Sequence, residues 1–197
     1  MPTVSIHQRL DALIPALLDP RLLNNRGIGN EIGFYIFDYD PEHDPLVEQH
    51  LPRLKSQLTH SPQPLEVLEI NLYQTILDLL ESRRILQKAF DLEASKGNTN
   101  FSNAIIPLVR PQQIVDRIQR QLQGNEQLVL LTGVGASWPL VRSHSILNNL
   151  HPVLDRTPLV MFFPGFYDGH ELRLFNILKD DNYYRAFPLI PRQQRQL

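Results

Sequence analysis

Two short runs restrict the folds open to this chain. Residues 127–133 (QLVLLTG) and 158–163 (PLVMFF) are apolar almost throughout, without alternation between apolar and polar positions. A strand with one wet face alternates with period two, so a continuous run marks a strand covered on both faces, as in a parallel sheet packed between helices. The remaining segments supply those helices. Residues 4–18 set Ile6, Leu10, Leu13, Leu17 and Leu18 on one face of a helix, with a bend expected at Pro15. After a turn-rich break at 24–30, residues 34–37 read as the first strand. Leu46, Val47, Leu51, Leu54 and Leu58 then keep helical spacing, with Asp44 as N-cap, Pro45 in the first turn and Pro52 as a kink.

A second strand falls in 65–73, and Asn71 with Gln74 forms a capping box for the helix that follows. Residues 84–124 read as a helical insertion, broken at 97–100 and 107–111 and stopped at Gly124. The third strand, 127–133, leads into a Gly-x-Gly turn and a helix from about Trp138. The fourth is closed by Pro164 and Gly165. Asp168 and Glu171 are spaced as a capping box for a short helix over 172–179, although Leu172 and Leu174 alone would suit a strand. A last strand is expected in 183–190, and the polar 191–197 should fray. This alternation predicts one α/β domain over 1–197, with a mainly parallel, Rossmann-like or P-loop-like sheet flanked by helices. Ligands of such folds sit beyond the carboxyl ends of the strands.

With 197 residues, 42% apolar and 20% charged, the chain suffices for one core. The absence of cysteine excludes disulfides and thiolate chemistry. No apolar run approaches the roughly 20 residues of a membrane span, and no signal triplet opens the sequence, so a soluble cytoplasmic protein is expected. A net charge of −2 gives no global field for nucleic acid.

The turn LTGVGASWP tests badly as a phosphate loop. Counting from Gly133, a Walker loop would need glycine and lysine where Trp138 and Pro139 stand, so no functional P-loop is present. A dinucleotide fingerprint would use Gly133 and Gly135 but again meets Trp138 at its third glycine. Gly133, Gly135 and Ser137 remain an anion-loop candidate beside a plainer reading: the glycines permit a tight turn, Ser137 caps the helix and Trp138 buries itself. A haloacid-dehalogenase-like phosphotransferase is the enzymatic alternative, with Asp38 and Asp40 at one strand end, Thr132 at another, then Lys179, Asp180 and Asp181. Against it, Pro41 and Glu42 follow the aspartates, and Lys179 adjoins the acidic pair directly. HELRL, from His170, offers Leu174 where a zinc-binding helix needs its second histidine, so no metal site is predicted. Arg110, Arg117 and Arg120 read as a solvated helix face, with a nucleic-acid module the lesser reading. His144 should be a packing residue, and Arg142, on the polar face of its helix, could meet an acidic partner.

NEIGFYIFDYDP (30–41), INLY (70–73), LTGVGASWPLVRSHSILNNL (131–150), PLVMFFPGFYDG (158–169) and LRLFNILKDDNYYRAF (172–187) together resemble the BrxB family of bacterial BREX phage-defence systems. The likeness runs in order over nearly the whole chain, with small departures at Gly33 and Phe166. It implies a non-catalytic component, without cofactor, of a machine that methylates host DNA and blocks phage replication. The implied partner is a PglZ-like protein, with the BrxC ATPase and the PglX methyltransferase contacted indirectly and DNA only through the complex. The docking surface expected for such an adaptor comprises Arg142, Tyr167, Asp168, His170, Asp180, Asp181, Tyr183 and Tyr184, because tyrosines beside turns bury large area at low entropy cost.

Overall fold

The computed structural model describes residues 4–24, 33–154, 156–180 and 186–192. Three short helices open it: α1 (Ile6–Asp11), α2 (Leu13–Leu17) and α3 (Pro20–Leu23). A capping box between Ser5 and Gln8 starts α1, and the expected single helix breaks at Ala12, not at Pro15. Pro15 sits in the first turn of α2, where its missing N–H costs nothing. β1 (Phe34–Tyr39) is two residues longer than expected, and a 3₁₀ turn at Pro41–His43 leads to α4 (Asp44–Thr59). Asp44 lies inside the first turn of α4, and His43 takes the cap position assigned to it. β2 (Val67–Asn71) passes directly into α5 (Leu72–Ser82), whose Gln74 N–H is accepted by the Asn71 side chain at 3.0 Å.

The helical insertion follows as α6 (Leu86–Ile105), interrupted at Gly97 with φ +73°, and α7 (Pro111–Gln119). Then come β3 (Leu128–Thr132), α8 (Ser143–Leu150) and β4 (Leu159–Tyr167), followed by three short strands, β5 (Leu172–Leu174), β6 (Leu178–Lys179) and β7 (Phe187–Pro188). No helix among the described residues is long and apolar enough to cross a membrane.

The strand order is β2-β3-β4-β1-β7, all parallel, with β5 and β6 added antiparallel to the far end of β4. The step from β1 to β2 runs against the direction of the steps from β2 to β3 to β4. Right-handed crossovers therefore place α4 on one face and α5–α8 on the other. The core divides accordingly. Ile36, Ile70, Val129, Leu131, Met161 and Phe163 pack under α5–α8, while Phe37, Leu128, Leu130, Val160 and Phe162 pack under α4 and α1–α2. Odd and even positions of the same strands serve opposite cores, which is why β3 and β4 read as continuous apolar runs.

Three expectations need correction. The helix over 172–179 is a β-hairpin, because Leu172 and Leu174 both enter the core and Phe175 and Asn176 adopt φ of 55° and 63°, which no helix admits. Asp168 does accept from the N–H groups of His170 and Glu171, but this turn feeds β5. β4 continues through Pro164 and Gly165; Pro164 falls beyond the last β3 pairing, Leu131 with Met161, where a residue without an N–H is tolerated. Finally, α8 begins at Ser143, not near Trp138, since residues 134–140 form successive turns around Pro139, which has no N–H to give.

Candidate functional site

The Gly-x-Gly turn lies where a ligand loop would, at the carboxyl end of β3, but it is filled from within. Gly133 has φ +67°, and a Cβ there would stand 2.2 Å from the Asn71 side-chain oxygen. A Cβ on Gly135 would meet the Pro164 ring at 2.8 Å. The glycines therefore admit the α5 cap and the β4 proline rather than a phosphate. Ser137 caps no helix: it is buried and donates its hydroxyl to the Val134 carbonyl at 2.7 Å. Trp138, expected inside, is 45% exposed.

Beside the turn a crevice of about 280 Å³ opens between α4 and the ends of β2 and β3, with Asp44, Glu48 and Glu69 in its wall. Tyr39 donates to Asp44 at 2.7 Å, and Glu69 accepts from Thr132 at 3.1 Å and from Lys55 at 2.8 Å. Burial, and then Asp44, push the Tyr39 phenol far above its ordinary range. Three carboxylates against one paired lysine disfavour an anion by simple Coulomb repulsion. Gly133→Ala is expected to cost about 1–2 kcal/mol from the left-handed backbone alone. Asn71→Ala should cost about 1 kcal/mol as a lost cap. Urea titration should show the double variant losing less than the sum of the two, because the Asn71 side chain that the added Cβ would strike is already gone; additive losses would refute the packing account.

At the end of β1, Asp38 is buried and serves as an anchor. One carboxylate oxygen accepts from Arg9 at 3.0 Å; the other accepts from Arg192 at 2.8 Å and the Tyr167 N–H at 3.3 Å. Arg9 is itself buried, lies 4.7 Å from the centre of the Phe37 ring, and also donates to the carbonyls of Asp38 and Ile190. Arg192 reaches Asp40 at 2.7 Å and the Gly165 carbonyl; the rest of the segment expected to fray, 193–197, lies outside the described residues. Partial burial would raise the Asp40 carboxyl, but hydrogen bonds from Arg192 and Asn176 outweigh it and hold the group below its ordinary value. The described residues of the phosphotransferase alternative are thus each paired with a side chain outside that set: Asp38 and Asp40 with arginines, Thr132 with Glu69, Lys179 with Glu171 and Asp180 with His144. β4 also separates the strands bearing Asp38 and Thr132.

The expected docking residues separate into distinct environments. Tyr167 is a core side chain, 4% exposed, donating to the Ala186 carbonyl at 2.8 Å, so it offers no surface. Asp168 and His170 are exposed in the turn before β5; hydrogen bonds from the Glu171 and then the His170 N–H keep the Asp168 carboxyl below its usual range. Asp180 turns onto the start of α8, where it accepts from the His144 N–H at 3.2 Å, pairs with the His144 ring at 2.5 Å and lies 3.7 Å from Arg142. The cap of α8 thus arrives from 36 residues downstream, and His144 is held by a side-chain hydrogen bond as well as by packing. Asp181, Tyr183 and Tyr184 lie outside the described residues. Sequence reasoning passed over Arg9, Asn176, Ile177 and Arg192. Arg9 had a legible signal, since it stands three residues after Ile6 on the apolar side of α1.

Fold and strand ends together define a protein with a mainly parallel α/β sheet whose carboxyl edge is cross-linked by its own ion pairs. The chain belongs to the BrxB family, matching the family described as BREX protein BrxB over residues 68–189. It is similar to the BREX protein BrxB of Bacillus cereus (strain H3081.97), at 47% identity covering 95% of this chain and 98% of the relative. It is also similar to the BREX protein BrxB of Escherichia coli O9:H4 (strain HS), at 34% identity covering 94% and 92%. No solved structure matches the chain.

Proposed function

We propose that this chain is a non-catalytic assembly component of a BREX system in the bacterial cytoplasm, an adaptor that binds a PglZ-like protein. In that role it supports host DNA methylation and phage exclusion, reaching the BrxC ATPase, the PglX methyltransferase and DNA only through the complex. One observation carries the reading. The polar groups at the strand ends that could do chemistry are consumed in internal pairs, centred on buried Asp38 between Arg9 and Arg192. Large apolar side chains, Trp138 and Ile177, are instead presented to solvent on the adjoining turn and hairpin. Exposed aromatic and aliphatic anchors suit recognition of another protein. Co-purification from cells carrying the whole system should retain this chain on tagged PglZ-like protein. Its absence from the eluate under gentle salt, with both proteins expressed, would sink the adaptor reading.

A further inference from the structure

The surface around Trp138 differs from the rest of the strand-end edge. Trp138 stands edge-on to Phe175, with ring centroids 6.4 Å apart at 84°, so its exposed indole is braced. On one side lies a hollow of about 150 Å³ lined by Leu77, Phe90, Phe101 and Leu140. On the other, a groove of about 260 Å³ runs to Ile177 at the hairpin tip, over Val141, Leu174 and Leu178. Ile177 is 82% exposed, although Asn176 beside it is held by Asp40 at 3.0 Å. The tip is therefore fixed while the Ile177 side chain faces water.

The charges around this groove are arranged by depth. Arg142, Lys179 and Arg173 present side chains 66%, 64% and 52% exposed, while their counter-ions Asp180 and Glu171 are only 10% and 15% exposed. Among the described residues of this rim, the charges that meet solvent are cationic, on a chain whose net charge is −2. Resting on the adaptor reading above, we infer that this groove docks an amphipathic segment of the partner protein, apolar along one side and flanked by aspartate or glutamate. The apolar side fills the groove on either side of Trp138, and the carboxylates meet Arg142 and Lys179. This follows the general mode in which an amphipathic segment lies in a hydrophobic groove, with rim charges setting register and encounter rate. A second copy of this chain fits less well, because it would bring another basic rim to the same place. Single-stranded nucleic acid also fits less well, since one tryptophan gives no succession of stacking platforms.

Binding of the full-length chain to the purified PglZ-like partner, followed by titration at several salt concentrations, separates these readings. Trp138→Ala and Ile177→Asp should each weaken binding about thirtyfold or more, as truncation of a central anchor does. Arg142→Gln with Lys179→Gln should slow association and flatten the salt dependence. Gln57→Glu, on α4 across the sheet, should change nothing. Circular dichroism of each variant excludes unfolding as the cause. Full binding by Trp138→Ala and Ile177→Asp overturns this surface while leaving the adaptor role standing. No binding by the unmodified chain overturns both. Loss on Ile177→Asp with no salt or charge response overturns the acidic character of the partner segment. Self-association or single-stranded DNA binding that Trp138→Ala abolishes would reassign the groove to those occupants.

Discussion

Replacing Arg9 with methionine should destabilise the fold by about 3–5 kcal/mol, the usual cost of removing one partner of a buried ion pair. Its guanidinium satisfies the Asp38 carboxylate and the carbonyls of Asp38 and Ile190 in a setting 3% exposed, so methionine leaves all three short of a donor that water cannot replace. Thermal unfolding followed by circular dichroism should show a midpoint lower by on the order of ten degrees, given a few degrees per kcal/mol for a chain of this size. Arg192→Met should cost less, because that side chain is 21% exposed and solvent reaches the gap it leaves. A loss for Arg9→Met below about 1 kcal/mol would show the pair behaving like an exposed surface bridge, and the anchoring account would fail.

Gly165→Ala should be the second severe change, at about 2–3 kcal/mol. A Cβ at this position would lie 2.1 Å from the Arg173 carbonyl oxygen and 2.8 Å from the Phe163 ring. The first is a backbone atom, with no rotamer to escape into, so β5 must back away from β4. That movement draws Leu172 and Leu174 out of the core, loosens the hairpin tip and disturbs the groove beside Trp138. Gly169→Ala is the matched control: its φ is +98°, but nothing lies within 4 Å of the added carbon, so only backbone strain of about 1–2 kcal/mol applies. Amide exchange at the paired positions Gly165 with Leu174 and Tyr167 with Leu172 should quicken in Gly165→Ala and hold in Gly169→Ala. Equal exchange in both variants would mean that the close approach does not hold the hairpin in place.

The sheet itself is legible because burial on both faces leaves its mark along β3 and over 159–163 of β4, and the Asn71 cap because capping is local. The hairpin was misread for an equally local reason. Asp168 and Glu171 are spaced as a helix start, and nothing within a few residues reveals that Leu172 and Leu174 will meet a second core wall. Trp138 was placed inside on hydrophobicity alone, yet Pro139 and the turns around it hold the indole outward, where it is 45% exposed. Asp38 and Asp40 looked like a reactive pair because the arginines that occupy them come from opposite ends of the chain, 29 and 154 residues away from Asp38.

The sequence by itself therefore determined the α/β class, the parallel core strands and the family. Each follows from periodicity, from local capping chemistry or from the order of distinctive segments along the chain. Only the tertiary structure decided the chemistry of the strand ends. Whether a carboxylate is a site or an anchor depends on which distant cations reach it and how much water is excluded, and neither is written within one turn of helix or strand.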